Sequence, residues 1–425
     1  MTTVRIQAGK RFVASIRTPG DKSISHRALM LAALANGSST IRGLSDGEDV
    51  GRTKTIIQQL GASVVEHEGY VIVTGPEKGL RATSETLDCG NSGTTIRLLI
   101  GLVAGIPGVH HLDGDASLRR RPMDRVAVPL ELMGVHVEGK GPTHTPPVTV
   151  AGIQHPRGIS YHVPKASAQV KSAVLFAGLS ATGNVVVTED VRTRANTEEM
   201  LRQAGVSISS TDYRDGRSIT MDPVRPKARD WFVPGDPSQA AFFVITGLLH
   251  QHGEVVIHPI YDGPERIGFL SVLERMGGDI SRIPTAHGLE VRARTSALTG
   301  TSIHAHEIPS VDEVPALVVA ACAATGTTRF IDMGELRIKE SDRFAESVAL
   351  ARALGAHVDI DGDDFTVVGL GSARSFAPFS FGAPHDHRMA MSAAIAGFCG
   401  NGVEISGAES VATSFPNFFE LLTSS

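Results

Sequence analysis

Gly37-Ser38-Ser39-Thr40-Ile41 is a glycine followed by a short run of β-favouring residues. The same pairing returns at Gly108, Gly183, Gly253, Gly326 and Gly402, at spacings of 71, 75, 70, 73 and 76 residues. Val185-Val186-Val187, Glu254-Val255-Val256-Ile257 and Thr328-Arg329-Phe330-Ile331 are three of the later runs. A fixed period of this kind marks one supersecondary unit built repeatedly. Between 22 and 29 residues after the first five glycines comes a second marker: Leu60-Gly61-Ala62, Met133-Gly134-Val135, Ala204-Gly205-Val206, Met276-Gly277-Gly278 and Leu354-Gly355-Ala356. Each predicts an amphipathic helix ended by a C′ glycine and followed by an alternating strand. A third marker precedes each first glycine, a small polar turn running into an apolar helix, at residues 20–27, 89–97, 165–171, 234–240, 308–315 and 384–391.

The unit is therefore strand, helix, strand, helix and a strand pair, βαβαββ, and the chain carries six copies. The fold class is α/β of the α+β type. The sixth copy stops at Glu420-Leu421-Leu422, and the strand-like pieces Val4-Arg5-Ile6 and 12–16 are expected to complete it. Two domains of three units follow: residues 20–233, and residues 1–19 with 234–425. Pro-Gly-Asp stands at both crossings, at 19–21 and 234–236, as rigid hinges would require. A six-bladed propeller would need about 40–50 residues per blade and little helix, and the helical markers speak against it.

Composition bounds what such a chain does. Of its 425 residues 41% are hydrophobic and 20% charged, which describes a folded globular protein with sizeable cores. A net charge of −5 gives no general affinity for nucleic acid or an anionic membrane, so the local clusters of bases point to a small anion. Cys89, Cys322 and Cys399 lack metal or redox spacing and are expected as free thiols in a cytoplasmic setting. No secretory h-region opens the chain and no apolar stretch is long enough to span a bilayer.

The chemistry gathers at the polar turns. Pro19-Gly20-Asp21-Lys22-Ser23-Ile24-Ser25-His26-Arg27 opens an apolar helix at 28–35. Ser23 or Ser25 is expected to cap it, with Lys22 beside the positive end of the helix dipole and Arg27 one turn on, a setting for phosphate. It is not a Walker loop. Cys89-Gly90-Asn91-Ser92-Gly93-Thr94-Thr95-Ile96-Arg97 adds backbone N–H groups, an amide and a guanidinium. Arg119-Arg120-Arg121-Pro122, Ser167-Ala168-Gln169-Val170-Lys171, Arg192 and Arg194 add further donors. Several helix starts aimed at one cleft would make it positive within an acidic chain. In the second half, acids and bases alternate in Asp312-Glu313, Lys339-Glu340-Ser341-Asp342-Arg343 and Asp386-His387-Arg388, as proton transfer beside an anion needs. Glu313 and Asp342 read as caps or salt-bridge partners, and His387 as an orienting hydrogen-bond group. No HxH or HxxxH spacing accompanies it, so no metal is expected.

Taken together these motifs resemble the enolpyruvyl transferase family, over essentially the whole chain: Gly-Asp-Lys-Ser at 20–23, Gly-Asn-x-Gly-Thr at 90–94, Arg-Pro at 121–122, Ser-Ala-Gln-Val-Lys at 167–171, Asp-Glu at 312–313, Lys-Glu-Ser-Asp-Arg at 339–343 and Asp-His-Arg at 386–388. The resemblance implies two domains of three βαβαββ units, each an inside-out α/β barrel, meeting at a cleft. It implies transfer of the enolpyruvyl group of phosphoenolpyruvate to the 5-hydroxyl of shikimate 3-phosphate, with release of phosphate and without metal or organic cofactor. It implies that Lys22, Asn91, Gly93, Arg121, Gln169, Arg343 and Arg388 hold phosphoenolpyruvate. Lys22, Ser23, Arg27, Ser167, Ala168, Gln169, Thr193, Arg194, Asp312 and Lys339 would hold shikimate 3-phosphate. Lys22, Asp312 and Glu340 would be catalytic, Asp312 taking the hydroxyl proton and Glu340 protonating the methylene carbon. It further implies a monomer that binds no nucleic acid or membrane, with glyphosate as an inhibitor.

The resemblance has departures. Thr413 stands where many members carry Lys, and Asn196 replaces His in the Arg-x-His-x-Glu pattern of glyphosate-tolerant members. The UDP-N-acetylglucosamine branch usually has a reactive Cys before Arg-Pro, and residues 115–120 have none. A non-catalytic phosphate-binding protein of this fold would need only the cations, not both Asp312 and Glu340.

Overall fold

The computed structural model describes residues 2–383 and 386–424, so Pro384 and His385, which open the last expected polar turn, lie outside the described residues. Contacts divide the chain into two compact units, Met1–Asp21 with Pro234–Ser425, and Lys22–Val233.

One repeat shows how the sequence builds the rest. Leu87–Asp88 is a short strand, and Ser92 caps the helix that follows, Gly93–Ala104, by accepting from Thr95 N at 3.1 Å. The chain returns along Gly108–Asp113, parallel to the first strand. A second helix, Asp124–Leu132, leads to a hairpin of His136–Lys140 and Thr145–Gly152, whose second arm pairs antiparallel with Gly108–Asp113. Among the described residues the same order recurs in five four-stranded sheets, and the sixth sheet has three strands.

The two helices of a repeat differ because their apolar patterns differ. The first is mostly apolar and buried all round: every residue of Val314–Ala323 and of His387–Cys399 is buried. Such helices can only sit inside. Pro237–Leu249, Val314–Ala323 and His387–Cys399 contact one another at the centre of their unit. The second helix is one-sided, as in Glu48–Gln59, where only Val50, Thr53, Ile56 and Ile57 are buried. Its end is set by glycine. Gly61, Gly134, Gly205, Gly277 and Gly355 have φ between +79° and +105°, a conformation that a Cβ would strain. In the first of them Gly61 N donates to Gln58 O and Ala62 N to Ile57 O, the Schellman pattern. Phe12, Phe415 and Phe418 stack around Phe243 at centroid distances of 5.3 to 6.4 Å, tying both ends of the chain to the Pro237–Leu249 helix.

Two expectations are corrected. Thr3–Ile6 does complete the sixth repeat, pairing with Val403–Ser406, but Phe12–Ile16 opens the fourth, parallel to Gly253–Ile260. By the same exchange, Trp231–Phe232 opens the first, beside Gly37–Arg42. Each three-repeat unit thus closes on a strand from the far end of its own chain segment. The fold class is as expected: among the described residues the open sheets lie against buried helices, the helices inside and the sheets outside. Finally, the first long helix begins at Lys22, so Ser23 and Ser25 lie within its first turn and do not precede it. Ser25 Oγ instead accepts from Ser45 N at 3.0 Å.

The two Pro-Gly-Asp passages run side by side. Gly20 and Gly235 form an antiparallel bridge, Asp21 N donates to Pro234 O at 2.7 Å and Asp236 N to Pro19 O at 2.9 Å. Buried Arg266 holds both, donating to Asp21 Oδ2 at 2.6 Å and Asp236 Oδ1 at 2.8 Å. Among the described residues no helix is long and apolar enough to cross a membrane.

Candidate functional site

In the Lys22–Val233 unit, the starts of the three buried helices carry the expected residues. Lys22 Nζ, partly exposed, pairs with Asp49 Oδ2 at 3.0 Å. Ser23 Oγ accepts from Arg194 Nη1 at 3.4 Å, which brings the expected shikimate 3-phosphate residues 22, 23 and 194 together. Arg27 is buried and turned inward, donating to Thr197 Oγ1 at 2.6 Å, Ser172 Oγ at 2.7 Å and Ser23 O at 2.9 Å. Burial, with Lys22 and Arg27 adding to it, holds His26 well below the ordinary imidazole range. His26 therefore adds no charge beside these cations.

A second group forms around Gly93. Arg121 Nη2 donates to Asn91 Oδ1 at 3.0 Å, Arg97 Nη1 to Gln169 Oε1 at 2.8 Å, and Gln169 Nε2 to Thr94 Oγ1 at 3.0 Å. A Cβ at Gly93 would stand 3.0 Å from Arg121 Nη1 and 3.1 Å from Arg97 Nη1. Five expected or neighbouring residues from three segments thus surround one glycine at a helix start. Of the triple arginine only Arg121 takes part; Arg119 is held by Asp113 at 2.5 and 2.9 Å and Arg120 is exposed. Ser167 Oγ caps the third helix, accepting from Val170 N at 3.4 Å, and Ala168 is its first residue. Thr193 is buried, its hydroxyl donating to Glu189 Oε2 at 2.6 Å. Lys171, whose amine reads in the sequence as a ligand group, is fully buried between Glu189 and Glu198.

The other unit organises its acids around one buried cation. Arg343 reaches Asp312 Oδ1 at 3.1 Å, Glu340 Oε2 at 2.6 Å and Asp386 Oδ2 at 2.8 Å. Burial opposes its charge, and the three carboxylates outweigh that, holding its pKa above the ordinary arginine value. Arg388 adds a contact to Asp312 Oδ2 at 3.5 Å. Asp386 caps its helix, accepting from Arg388 N at 3.0 Å. Asp342 caps the next, accepting from Ala345 N at 3.0 Å, and Glu313 accepts from Ser238 and Ser310, so both have the structural roles expected of them. Lys339, half-buried, immediately precedes Glu340. Thr413 is turned to its own backbone, donating to Ser410 O at 2.7 Å. His387 is buried at the first position of its helix. Among the described residues no group of three His, Cys, Asp or Glu side chains is placed to hold a metal.

Two residues here have a setting that the sequence does not reveal. Arg97 was visible as a guanidinium in the second turn, but its pairing with Gln169 depends on a segment 72 residues away. Glu346 is the other. Ser341 Oγ lies 2.7 Å from Glu346 Oε2 and 2.9 Å from Asp386 Oδ2, and burial pushes the Glu346 carboxyl up to about 6. A raised acid pKa favours the folded state below the unfolded value and loses that advantage as pH rises through the folded one. Between about pH 4.5 and 6, stability contributed by Glu346 therefore falls, by about 1 kcal/mol after allowance for its partial exposure. Glu346→Gln is expected to flatten that limb, read as urea midpoints at pH 5 and pH 7.5.

The chain matches the model of the family described as EPSP synthase (3-phosphoshikimate 1-carboxyvinyltransferase) over residues 6–422. It is 43% identical to a 3-phosphoshikimate 1-carboxyvinyltransferase of Anaeromyxobacter sp. (strain Fw109-5), over 96% of this chain and 95% of the relative. A protein of the same description from Streptococcus uberis is 38% identical over 99% of both chains. Among solved structures, EPSP synthase from Acinetobacter baumannii superposes with a TM-score of 0.88 at 36% identity, covering 99% of this chain and 97% of that one.

Proposed function

As the chain belongs to the EPSP synthase family, we propose that Asp312 and Glu340 move the protons of its reaction and that Lys22 is its principal cation. The enzyme transfers the enolpyruvyl group of phosphoenolpyruvate to the 5-hydroxyl of shikimate 3-phosphate, a step of aromatic amino-acid biosynthesis. The 5-oxygen adds to C2 of phosphoenolpyruvate as its proton passes to Asp312 and Glu340 protonates the methylene carbon. The bond from C2 to the phosphate oxygen then breaks, and a proton leaves the new methyl to restore the double bond.

The observation that supports these roles is that one guanidinium, Arg343, carries both Asp312 Oδ1 and Glu340 Oε2. Contact with a substrate carboxylate would displace one of them, and a Glu340 released from Arg343 takes up a proton more readily. In this reading Arg343 and Arg388 serve phosphoenolpyruvate as cations, and Asn91, Gly93, Arg121 and Gln169 hold it by hydrogen bonds. Ser23, Arg27, Ser167, Ala168, Gln169, Thr193, Arg194 and Lys339 serve shikimate 3-phosphate. Phosphate release on mixing the two substrates tests the reading, and Glu340→Gln is expected to lower kcat by about 10²–10⁴-fold. A variant within tenfold of wild type would remove Glu340 from that role.

Gly93 carries a sharper test. Its backbone accepts alanine, but the new methyl must push Arg121 and Arg97 aside by a few tenths of an ångström. Glyphosate, a longer competitor than phosphoenolpyruvate, should suffer more from the narrowed space. Gly93→Ala is expected to raise the glyphosate inhibition constant by a factor roughly 10–200 larger than its effect on KM for phosphoenolpyruvate. Equal factors would mean that Gly93 does not face the inhibitor. We further assign residues 20–233 and 1–19 with 234–425 as the two domains of a monomeric, cytoplasmic enzyme; the three buried free cysteines support a reducing compartment.

A further inference from the structure

Lys171 is fully buried, and a buried ammonium persists only where it is paired and hydrogen-bonded. Three groups surround it: Glu189 Oε1 and Thr193 O accept hydrogen bonds at 3.1 and 3.5 Å, and Glu198 Oε1 pairs with it as an ion at 2.7 Å. Those groups have a particular place in the chain. Glu189 ends the strand Val185–Glu189, Glu198 lies in the helix Asn196–Gln203, and Thr193 sits in the connection between them. One ammonium therefore fastens both ends and the middle of residues 190–195. Glu189 holds the same stretch from its other side, accepting from Thr193 N at 3.0 Å and Thr193 Oγ1 at 2.6 Å. Arg217 Nε lies 3.3 Å from Glu189 Oε1, so two cations balance two buried acids.

What the fastened stretch presents is Arg194, whose Nη1 reaches Ser23 Oγ beside Lys22. We infer that Lys171, Glu189 and Glu198 form an internal clasp of positioning residues that sets Thr193 and Arg194 for shikimate 3-phosphate, without touching either substrate. The inference rests on the assignment of residues 193 and 194 to that substrate. A compact ammonium sits among these three oxygens where a larger planar guanidinium would not, so arginine is no substitute at 171.

The clasp separates the two substrates kinetically. Lys171→Met leaves Glu198 and Glu189 sharing one counter-ion. Lys171→Met combined with Glu198→Gln removes one charge of each sign and leaves Glu189 paired with Arg217, so it serves if the single variant does not fold. Either variant is expected to raise KM for shikimate 3-phosphate at least tenfold and to change KM for phosphoenolpyruvate less than twofold, each measured by phosphate release with the other substrate saturating. A merely structural residue would lower the active fraction, and so the apparent kcat, with both KM values unmoved. That pattern, or equal rises in both KM values, overturns the clasp alone. Failure of the wild type to release phosphate overturns the assigned reaction and the clasp's role with it.

Discussion

Lys22→Ala is expected to abolish turnover, a loss of at least about 10³-fold in kcat/KM, while the protein stays folded. The side chain stands at a helix start, pairs with Asp49 and has 22% of its surface exposed, so that pair adds only about 0–1 kcal/mol to stability. In the proposed role its charge serves the reaction, where a single fixed donor aimed at developing negative charge accounts for about 10²–10³-fold and a full cation for more. Calorimetry and phosphate release on the same preparation check both halves. A variant that unfolds, or one that keeps most of its kcat/KM, contradicts the role.

Arg343→Met is expected to do the opposite damage first. It leaves Asp312, Glu340 and Asp386 facing one another around a neutral side chain, where the wild type has a fully buried cation. Breaking a buried ionic cluster from one side costs about 3–5 kcal/mol, because Asp386 stays fully buried beside two partly exposed acids with their shared cation gone. Urea unfolding at neutral pH should show that loss. It should shrink as pH falls and the three carboxylates take up protons. Equal stability of variant and wild type at neutral pH would mean that the acids are not ionised in the fold.

Much of the architecture was legible because it depends on local constraints. A glycine at 61, 134, 205, 277 or 355 marks a helix end through its own φ, and needs no knowledge of the rest of the chain. The partner of residues 12–16 was not legible in this way. Those residues read as a strand, but whether they pair with residues near 253 or near 403 is decided by the pairing of distant segments, on which an alternating pattern is silent. The site divides similarly. Lys22, Asn91 and Gly93 lie at helix starts, where the backbone itself favours an anion, and Arg121 reaches Asn91 from the next loop. Lys171 and Arg119 show the same residue types in the same kind of turn, yet one is swallowed by two glutamates and the other is held on the surface by Asp113. Burial of a charge is a tertiary property, and composition does not reveal it. Glu346 escaped notice for the complementary reason: its spacing within the helix is ordinary, and it is burial, with Asp386 adding to it, that makes its carboxyl unusual.

The exchanged opening strands have a consequence for the growing polypeptide. Phe12–Ile16 leaves the ribosome early, but its sheet partner, Gly253–Ile260, comes some 240 residues later. At about 5–20 residues per second that is roughly 12–50 s of synthesis during which an apolar strand has no place to go. The inserted segment has no such wait for its host: its own closing strand, Trp231–Phe232, arrives at its very end and seals the sheet begun at Gly37. The middle of the chain is thus able to finish first, with the two outer pieces assembling around a completed insert. The nascent chain's most exposed moment falls before residue 253, when Phe12 and Ile16 are made and unpaired.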